Sequence, residues 1–152
     1  MQVSRTYVSG QQVQLEVELT AYHAGYFEFR LCPLNTEARP VPQACLDRWL
    51  LSSEEGQRYR PAPPPAGQGV YRVPVQLPPG LTCQLCVLQW RYTAANSWGD
   101  CGNETGAVGC GPQEEFRACS DIRVEDSQGR ASGEPNTEPG NTVLQPWVGD
   151  QS

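Results

Sequence analysis

The chain of 152 residues is long enough for one domain of ordinary size, and its 38% hydrophobic residues can supply a core. Its 17 acidic residues exceed its 11 basic residues, and the net charge of -6 argues against a protein that neutralises nucleic-acid phosphates. Seven cysteines, 14 prolines and 15 glycines with a single methionine are typical of a secreted domain that disulfides stabilise, so we expect an extracellular protein. No stretch is long and apolar enough to span a membrane, and residues 1–19 contain no apolar segment of the signal-peptide type.

The first predicted elements are two strands on either side of the single histidine. Over residues 12–22, apolar and polar side chains alternate, which indicates a strand with one buried face. A second alternating run predicts a strand over residues 26–32, and Gly25 between the two runs can relieve the bend. His23 is therefore expected at a strand end, close to a turn. In an arbitrary protein, such a histidine most often only forms hydrogen bonds with the backbone.

The middle of the chain is less regular. The segment QACLDRWLL, residues 43–51, comes close to helical spacing and predicts a short helix, and the proline-rich residues 59–69 predict a loop. Alternation returns over residues 70–77 and 84–93, which predicts two further strands. Pro74 lies in the first of these and has no backbone N–H to donate, so we expect an edge strand there.

The last predicted strand covers residues 115–124, and residues 125–152 lack periodicity and are rich in Gly, Pro, Ser and Asn. We expect those residues to form a disordered tail. Five or more short strands with little helix predict an all-β fold, an antiparallel β-sandwich of the immunoglobulin or fibronectin type that presents its function on its end loops. The predicted organisation is one domain over residues 1–124, followed by the tail.

The cysteines are expected to form structural disulfides. They are Cys32, Cys45, Cys83, Cys86, Cys101, Cys110 and Cys119. The spacing of Cys83 and Cys86 matches a redox CxxC, but the flanking residues look like strand rather than the start of a helix. Zinc is not favoured, because Cys101 and Cys110 are too far apart for a zinc knuckle. The pairing stays open, with Cys32–Cys45 as the first guess and the odd cysteine expected to bond to a segment outside these residues.

Other motifs give weaker signals. Asn103, Glu104 and Thr105 form an N-glycosylation sequon in a glycine-rich loop, which fits a secreted protein. Trp98 either stacks on a sugar or belongs to the core. A Ser-His-Asp hydrolase is not expected, since one histidine without a nucleophile elbow does not make a triad. Adjacent carboxylates such as Glu114 and Glu115, or the Glu54–Glu55 pair, are expected at the solvated surface.

Three stretches of the sequence together resemble a known family. They are TAYHAGYFEFRLCP, LPPGLTCQLCVLQWRYTAANSWG and GAVGCGPQEEFRACSDI, with the cysteines, glycines and histidine in order over roughly residues 6–124. They are similar to the C-terminal part of a lytic polysaccharide monooxygenase of the animal type, auxiliary activity family fifteen in the chitin-binding type-4 domain group. The resemblance implies a copper-dependent oxidoreductase that cleaves glycosidic bonds in an insoluble polysaccharide, crystalline chitin or cellulose.

The resemblance also implies which residues hold copper. In this family, an N-terminal histidine binds copper through its amino nitrogen and its imidazole, and one internal histidine completes this histidine brace. His23 matches the internal ligand, Phe116 matches the axial aromatic position, and Ala21 matches a small residue beside the copper. The chemistry is reasonable, because imidazole suits copper and an α-amino group with a pKa near about 8 readily gives up its proton to a metal.

The sequence departs from the family at its first residue. It starts with Met1 and Gln2, so it lacks the N-terminal histidine of the brace, and we expect a fragment, an isoform or a truncated gene product without the N-terminal part of the domain. Copper is then expected only where such a histidine is supplied. Two hypotheses remain. The complete domain is a secreted, monomeric monooxygenase, or this chain is a non-catalytic extracellular module that binds chitin or another glycan; neither involves a nucleic acid or a membrane.

Overall fold

The computed structural model describes residues 5–34, 41–65 and 69–132. Nearly all of its regular structure is β-strand. The strands are β1 (Arg5–Val8), β2 (Gln12–Leu19), β3 (Tyr26–Pro33), β4 (Ser52–Ser53), β5 (Gly69–Gln76), β6 (Cys83–Thr93), β7 (Trp98–Gly102), β8 (Thr105–Val108) and β9 (Glu115–Glu125), and the helix α1 covers Gln43–Asp47. No helix among these residues is long and apolar enough to cross a membrane.

The strands form two sheets that face each other and one separate hairpin. The larger sheet has four strands in the order β1, β9, β6, β3, and the smaller sheet has three in the order β2, β5, β4. Strands β7 and β8 form the hairpin. The neighbours in both sheets are antiparallel except that β1 runs parallel to β9. The antiparallel β-sandwich predicted from the alternation is confirmed.

The core lies between the two sheets because apolar residues occupy every second position of their strands. Phe27 of β3 is fully buried at its centre. The rings of Tyr71, Trp90 and Tyr92 lie edge-on to Phe27, with centroid distances of 5.8, 5.5 and 5.1 Å. Edge-to-face packing of this kind adds about 1 kcal/mol per pair to the burial of the rings themselves. The two sheets are therefore joined across an aromatic centre.

Strand β3 is covered on its outer face as well. Glu28 and Arg30 point away from the core but are buried, and they pair with each other at 3.3 Å. Arg30 also lies 3.2 Å from the carboxylate of Asp47 at the end of α1. The Cys32–Cys45 disulfide ties α1 to the same face, and a cross-link of this separation stabilises a fold by about 3 kcal/mol in the chain-entropy account.

The predicted strands agree with the structure to within a few residues, except that the strand expected over residues 12–22 ends at Leu19. The helix is shorter than residues 43–51. The edge-strand prediction from Pro74 was wrong, because β5 lies between β2 and β4. Strand β4 has two residues and pairs only with Gln76 and Val75, so β5 has no partner from β4 opposite Pro74. A proline is tolerated there for that reason.

The end of the domain also differs from the prediction. Strand β9 continues to Glu125, and a turn follows in which the carboxylate of Asp126 accepts hydrogen bonds from the backbone N–H groups of Arg130 and Gln128. These two bonds hold the pKa of Asp126 below its ordinary value. The Ser132 N–H then donates to Thr82 at 3.1 Å. The tail expected from residue 125 was thus wrong for residues 125–132, and its remainder, 133–152, lies outside the described residues.

An open cleft of about 510 Å³ separates β2 from the larger sheet. Trp90 and Leu88 of β6 and Ala118 of β9 line one wall of this cleft. Ala118 is exposed although its position in β9 points toward the sandwich interior. Neither His23 nor Phe116 lines this cleft, so the candidate site described below lies elsewhere.

Candidate metal centre

The segment between β2 and β3 carries His23 and has a fixed, unusual backbone. Ala24 and Gly25 both have positive φ, at 54° and 75°, which turns the chain sharply into β3. A Cβ atom on Gly25 would overlap the carbonyl oxygen of Thr93 on β6. Only glycine allows this close approach of the two backbones. We call residues 23–25 the strap. The strap lies in close contact with the end of β6.

The hydroxyl group of the buried Tyr92 forms two hydrogen bonds with the backbone of the strap. The His23 backbone N–H donates to the Tyr92 hydroxyl oxygen at 2.8 Å, and that hydroxyl donates to the Ala24 carbonyl oxygen at 2.6 Å. Tyr92 is 1% exposed, and burial raises its pKa, although the hydrogen bond from the His23 backbone acts in the opposite direction. The phenol therefore stays neutral at ordinary pH and serves as acceptor and donor at once.

The imidazole of His23 is half-buried and lies over an aromatic ring. Its centroid is 5.8 Å from that of Phe116 on β9, with the two planes 9° apart. The ring centroid of Phe116 is in turn 5.8 Å from that of Tyr92. The structure thus brings together His23 and Phe116, the two residues predicted to share a copper site. Ala21, the predicted small neighbour, is exposed two residues before His23.

A loop after β6 fixes one edge of the same imidazole. The side-chain nitrogen of Asn96 lies 2.9 Å from His23 Nδ1, and the Ala95 N–H donates to the His23 carbonyl oxygen at 2.9 Å. The loop is held to the segment before β9, because Gln113 both accepts from the Ser97 N–H and donates to the Ser97 carbonyl oxygen. Within the described part of the chain, Nε2 of His23 has no hydrogen-bond partner.

The β7–β8 hairpin follows this loop and displays apolar side chains. Trp98 and Val108 face each other across its base and are 72% and 62% exposed. The ring of Trp98 lies against Gly106, where a side chain would come within 3.0 Å of the indole. The alternative that Trp98 belongs to the core is therefore wrong. The exposed indole follows the loop that carries Asn96 and is an unusually large apolar group for a protein surface.

The hairpin is closed by a tight turn and a covalent bond. Asn103 and Glu104 both have positive φ, at 52° and 62°, as in two-residue turns that join the strands of a β-hairpin. The Cys101–Cys110 disulfide joins β7 to the residues just after β8. Asn103 of the sequon is exposed at the tip. Its glycosylation stays a prediction.

The remaining cysteines do not form a reactive centre. Cys83 and Cys86 are joined in a disulfide and fully buried in β6, which leaves no exposed redox pair of the thioredoxin type. Cys119 is exposed on β9. The structure therefore gives the cysteines within the sandwich a stabilising role.

Glu115, the acidic residue next to Phe116, forms ion pairs with two arginines. Glu115 accepts hydrogen bonds from Arg91 at 2.8 Å and from Arg117 at 3.1 Å. The bond from Arg91 is the main reason that the pKa of Glu115 lies below its ordinary value. Glu115 is thus an ion-paired surface carboxylate rather than a general acid, as expected for the Glu114–Glu115 pair.

The fit of these residues to a metal ion is incomplete. Among the residues that the structure describes, no three His, Cys, Asp or Glu side chains are close enough together to hold a metal. His23 is the single histidine of the sequence, so the chain offers one imidazole nitrogen next to an aromatic ring. One nitrogen ligand is too few for a tight copper site. The residues present fit one part of such a site and do not complete it.

Three residues that shape this site were not identified from the sequence. Tyr92 reads as one more apolar residue of β6, and Asn96 lies 73 positions from the histidine that it contacts. Gln113 precedes β9 without any motif. Only Gly25 carried a signal, because a glycine directly before an alternating run indicates a turn.

We expect Tyr92→Phe to lower the free energy of unfolding by about 2 kcal/mol or more, since it leaves two part-buried groups, the N–H of His23 and the carbonyl of Ala24, without their partner. Tyr71→Phe is the matched control, because the Tyr71 hydroxyl donates a single hydrogen bond, to Ala62, and its loss should cost about 1 kcal/mol. Denaturant unfolding of the three proteins measures the difference. Equal losses would contradict the role given to the Tyr92 hydroxyl.

The same comparison has a defined pH dependence. Burial raises the pKa of Tyr92 above the ordinary tyrosine value of about 10. Its contribution to stability is therefore fully present below pH about 10 and is lost as the pH rises through the raised pKa of the folded state. The difference in the free energy of unfolding between the native protein and Tyr92→Phe should become smaller only in that alkaline range.

Comparisons with known proteins agree with the fold. Residues 2–122 match the family described as lytic polysaccharide mono-oxygenase, cellulose-degrading. A search of curated protein sequences finds no match. Among solved structures, the chain is similar to a lytic polysaccharide monooxygenase AA15 from Thermobia domestica in the Cu(I) state, with 38% identity and a TM-score of 0.70. The match covers 80% of this chain.

The same match covers 63% of the Thermobia chain, so the residues compared here span less than two thirds of that protein. The family match, in contrast, extends over most of the present sequence, from β1 to within three residues of the end of β9. The all-β sandwich of the described residues agrees with both matches. The chain belongs to the lytic polysaccharide monooxygenase family.

Proposed function

We propose that the complete domain containing these residues is a copper-dependent monooxygenase that oxidatively cleaves glycosidic bonds in insoluble polysaccharide, chitin or cellulose. The observation that carries the proposal is the imidazole of His23, held at the end of the sandwich over Phe116 with Nε2 without a hydrogen-bond partner among the described residues. An imidazole whose other edge is already bonded is the usual form of a histidine metal ligand. Membership of the family supports copper as the metal that this imidazole would bind.

Each residue has a defined part in this proposal. His23 supplies one nitrogen to copper through Nε2, and the strap and Tyr92 keep that nitrogen in place. Phe116 covers the space beside the ring with carbon atoms, which denies a further polar ligand on that side. Copper itself, when bound, would supply the activation of the oxidant. The amino group and second imidazole of the brace have to come from a histidine that is not among the 152 residues.

A second function is favoured by the exposed hairpin. Trp98 and Val108 form an apolar patch on the hairpin that follows the Asn96 loop, and Trp98 is 72% exposed. A flat aromatic ring of this kind packs against the apolar face of a sugar ring. With a single imidazole and such a surface, this chain by itself would act as a non-catalytic module that binds chitin or another glycan. The first function requires copper and the second does not.

We expect copper to bind this chain weakly and to bind an extended version, which begins at a histidine, about 100-fold more tightly or better, because the extension closes a chelate. His23→Ala in the extended protein should remove most of that gain. Calorimetric titration with copper(II) on both proteins, each with and without His23→Ala, measures the four affinities. Equal affinity of all four would end the proposal that His23 is a copper ligand.

We expect Trp98→Ala to weaken binding of the chain to insoluble chitin or cellulose by about fivefold or more, since the loss of one aromatic contact costs about 1 kcal/mol. Trp49→Ala is the matched control, because Trp49 is a partly exposed indole that follows α1 on the outer face of β3. Sedimentation of the protein with each polysaccharide, without copper, measures binding. A Trp98→Ala protein that binds like the parent would contradict both the patch and the binding module.

The proposed activity requires an extracellular protein, since insoluble polysaccharide lies outside cells. Support comes from three disulfides, which persist in oxidising compartments, and from the exposed Asn103 sequon. When a eukaryotic host secretes the protein, we expect a glycan on Asn103. Enzymatic removal of N-glycans should lower the mass of the parent and leave Asn103→Gln unchanged. No change in the mass of the parent would refute glycosylation at this position.

A further inference from the structure

The contact between Asn96 and His23 joins two segments that lie outside the strands of the sandwich. Asn96 is exposed and lies in the loop between β6 and β7, yet its side-chain nitrogen is 2.9 Å from Nδ1 of His23. The backbone of this loop is fixed on both sides. The Ala94 N–H donates to Glu114 at 2.9 Å, and Ser97 exchanges two hydrogen bonds with the side chain of Gln113. The amide of Asn96 is thus presented to the ring by an anchored loop.

The other surroundings of the ring leave this amide as its polar neighbour. Phe116 covers one face of the imidazole with carbon. The nearby carboxylate of Glu115 is engaged by Arg91 and Arg117. Within the described residues, Nδ1 has a single hydrogen-bond partner, which is Asn96. The orientation of the ring therefore depends on one side chain as well as on the strap.

An amide suits this position for a chemical reason. A neutral imidazole carries a proton on one nitrogen and a lone pair on the other, and a metal binds the lone pair. When Nε2 binds a metal, the ring proton is on Nδ1, which then needs an acceptor. Asn96 offers a nitrogen donor and an oxygen acceptor that exchange places by a half-turn of the amide. It can therefore bond to Nδ1 both with and without a metal on Nε2.

We propose that Asn96 is a positioning residue for the copper ligand. It holds the imidazole of His23 by Nδ1, and it accepts the Nδ1 proton through its oxygen when Nε2 binds copper. This inference rests on the proposed function of His23. A carboxylate at position 96 supports the same metal-bound form, because it accepts a hydrogen bond from Nδ1–H. An apolar side chain of similar size neither donates a hydrogen bond to Nδ1 nor accepts one from it.

The contact is tested first on the chain of 152 residues without copper. Because the sequence has one histidine, a nitrogen-15 label on histidine reports on His23 alone. At a pH at which the imidazole is neutral, long-range proton–nitrogen NMR spectra distinguish the two positions of the ring proton. We expect Asn96→Asp to move the proton to Nδ1 and Asn96→Leu not to do so. If Asn96→Asp and Asn96→Leu both give the spectrum of the parent, the inference is overturned.

The role toward copper is tested on the extended protein that begins at a histidine. Asn96→Leu should weaken copper(II) binding by about 10-fold to 100-fold, the usual effect of removing a group that orients a metal ligand, and Asn96→Asp should stay within about threefold of the parent. Ser97→Ala is the control, because the hydrogen bonds found for Ser97 use its backbone atoms. Calorimetry gives the affinities, and electron paramagnetic resonance reports the ligand field of the copper.

The outcomes separate this inference from the proposed function. If His23→Ala abolishes tight binding and Asn96→Leu binds like the parent, His23 remains a ligand and the role of Asn96 is refuted. If His23→Ala itself has no effect, the proposed ligand fails and the inference fails with it. Loss of affinity in Asn96→Leu together with its recovery in Asn96→Asp supports the positioning role, since a change that only disturbed the loop would not be restored by a carboxylate.

Discussion

The candidate site depends on a single buried hydroxyl group. Tyr92 comes from the larger sheet, and its ring belongs to the aromatic centre of the core, 5.1 Å from that of Phe27. Its oxygen meets the backbone on both sides of the sharp turn at His23 and Ala24. A turn with two consecutive residues of positive φ is costly unless its polar groups are satisfied. Because the hydroxyl satisfies them, two hydrogen bonds fix the backbone at His23 to a residue of the hydrophobic core.

The site is assembled from segments that meet only when the larger sheet has its native register. His23 precedes β3, Asn96 follows β6, and Phe116 lies in β9, opposite Tyr92 of β6. A shift of β9 by one residue would turn Phe116 to the other face of the sheet and remove it from the imidazole. The same pairing that closes the hydrophobic core therefore sets the geometry of the proposed ligand, and stability and site geometry are coupled through strand register.

The sequence predicts the sandwich well because alternation reports burial directly, as in β2 and β5, where buried positions recur at every second residue. It places His23 close to a turn, although the histidine lies in the connection between β2 and β3 rather than at the end of a strand. It fails for Pro74, because a proline reports only its own missing hydrogen bond and not the two-residue length of the neighbouring strand. It fails for Tyr92 and Asn96, since no local pattern records which side chain meets a histidine some 70 residues away. The pairing of His23 with Phe116 was expected from the family resemblance and not from periodicity.

The β7–β8 hairpin is joined to the rest of the site through main-chain atoms and the side chain of Gln113. Gly109 donates to the Ser97 carbonyl, and Gln113 bonds to backbone atoms of Ser97 and Cys110. The outward side chains of the hairpin, including Trp98 and Val108, take no part in these bonds. Replacing the outward side chains of residues 98–108 therefore leaves intact the hydrogen bonds that hold the hairpin to the loop at His23. The exposed surface of the hairpin and the position of the imidazole are structurally separable.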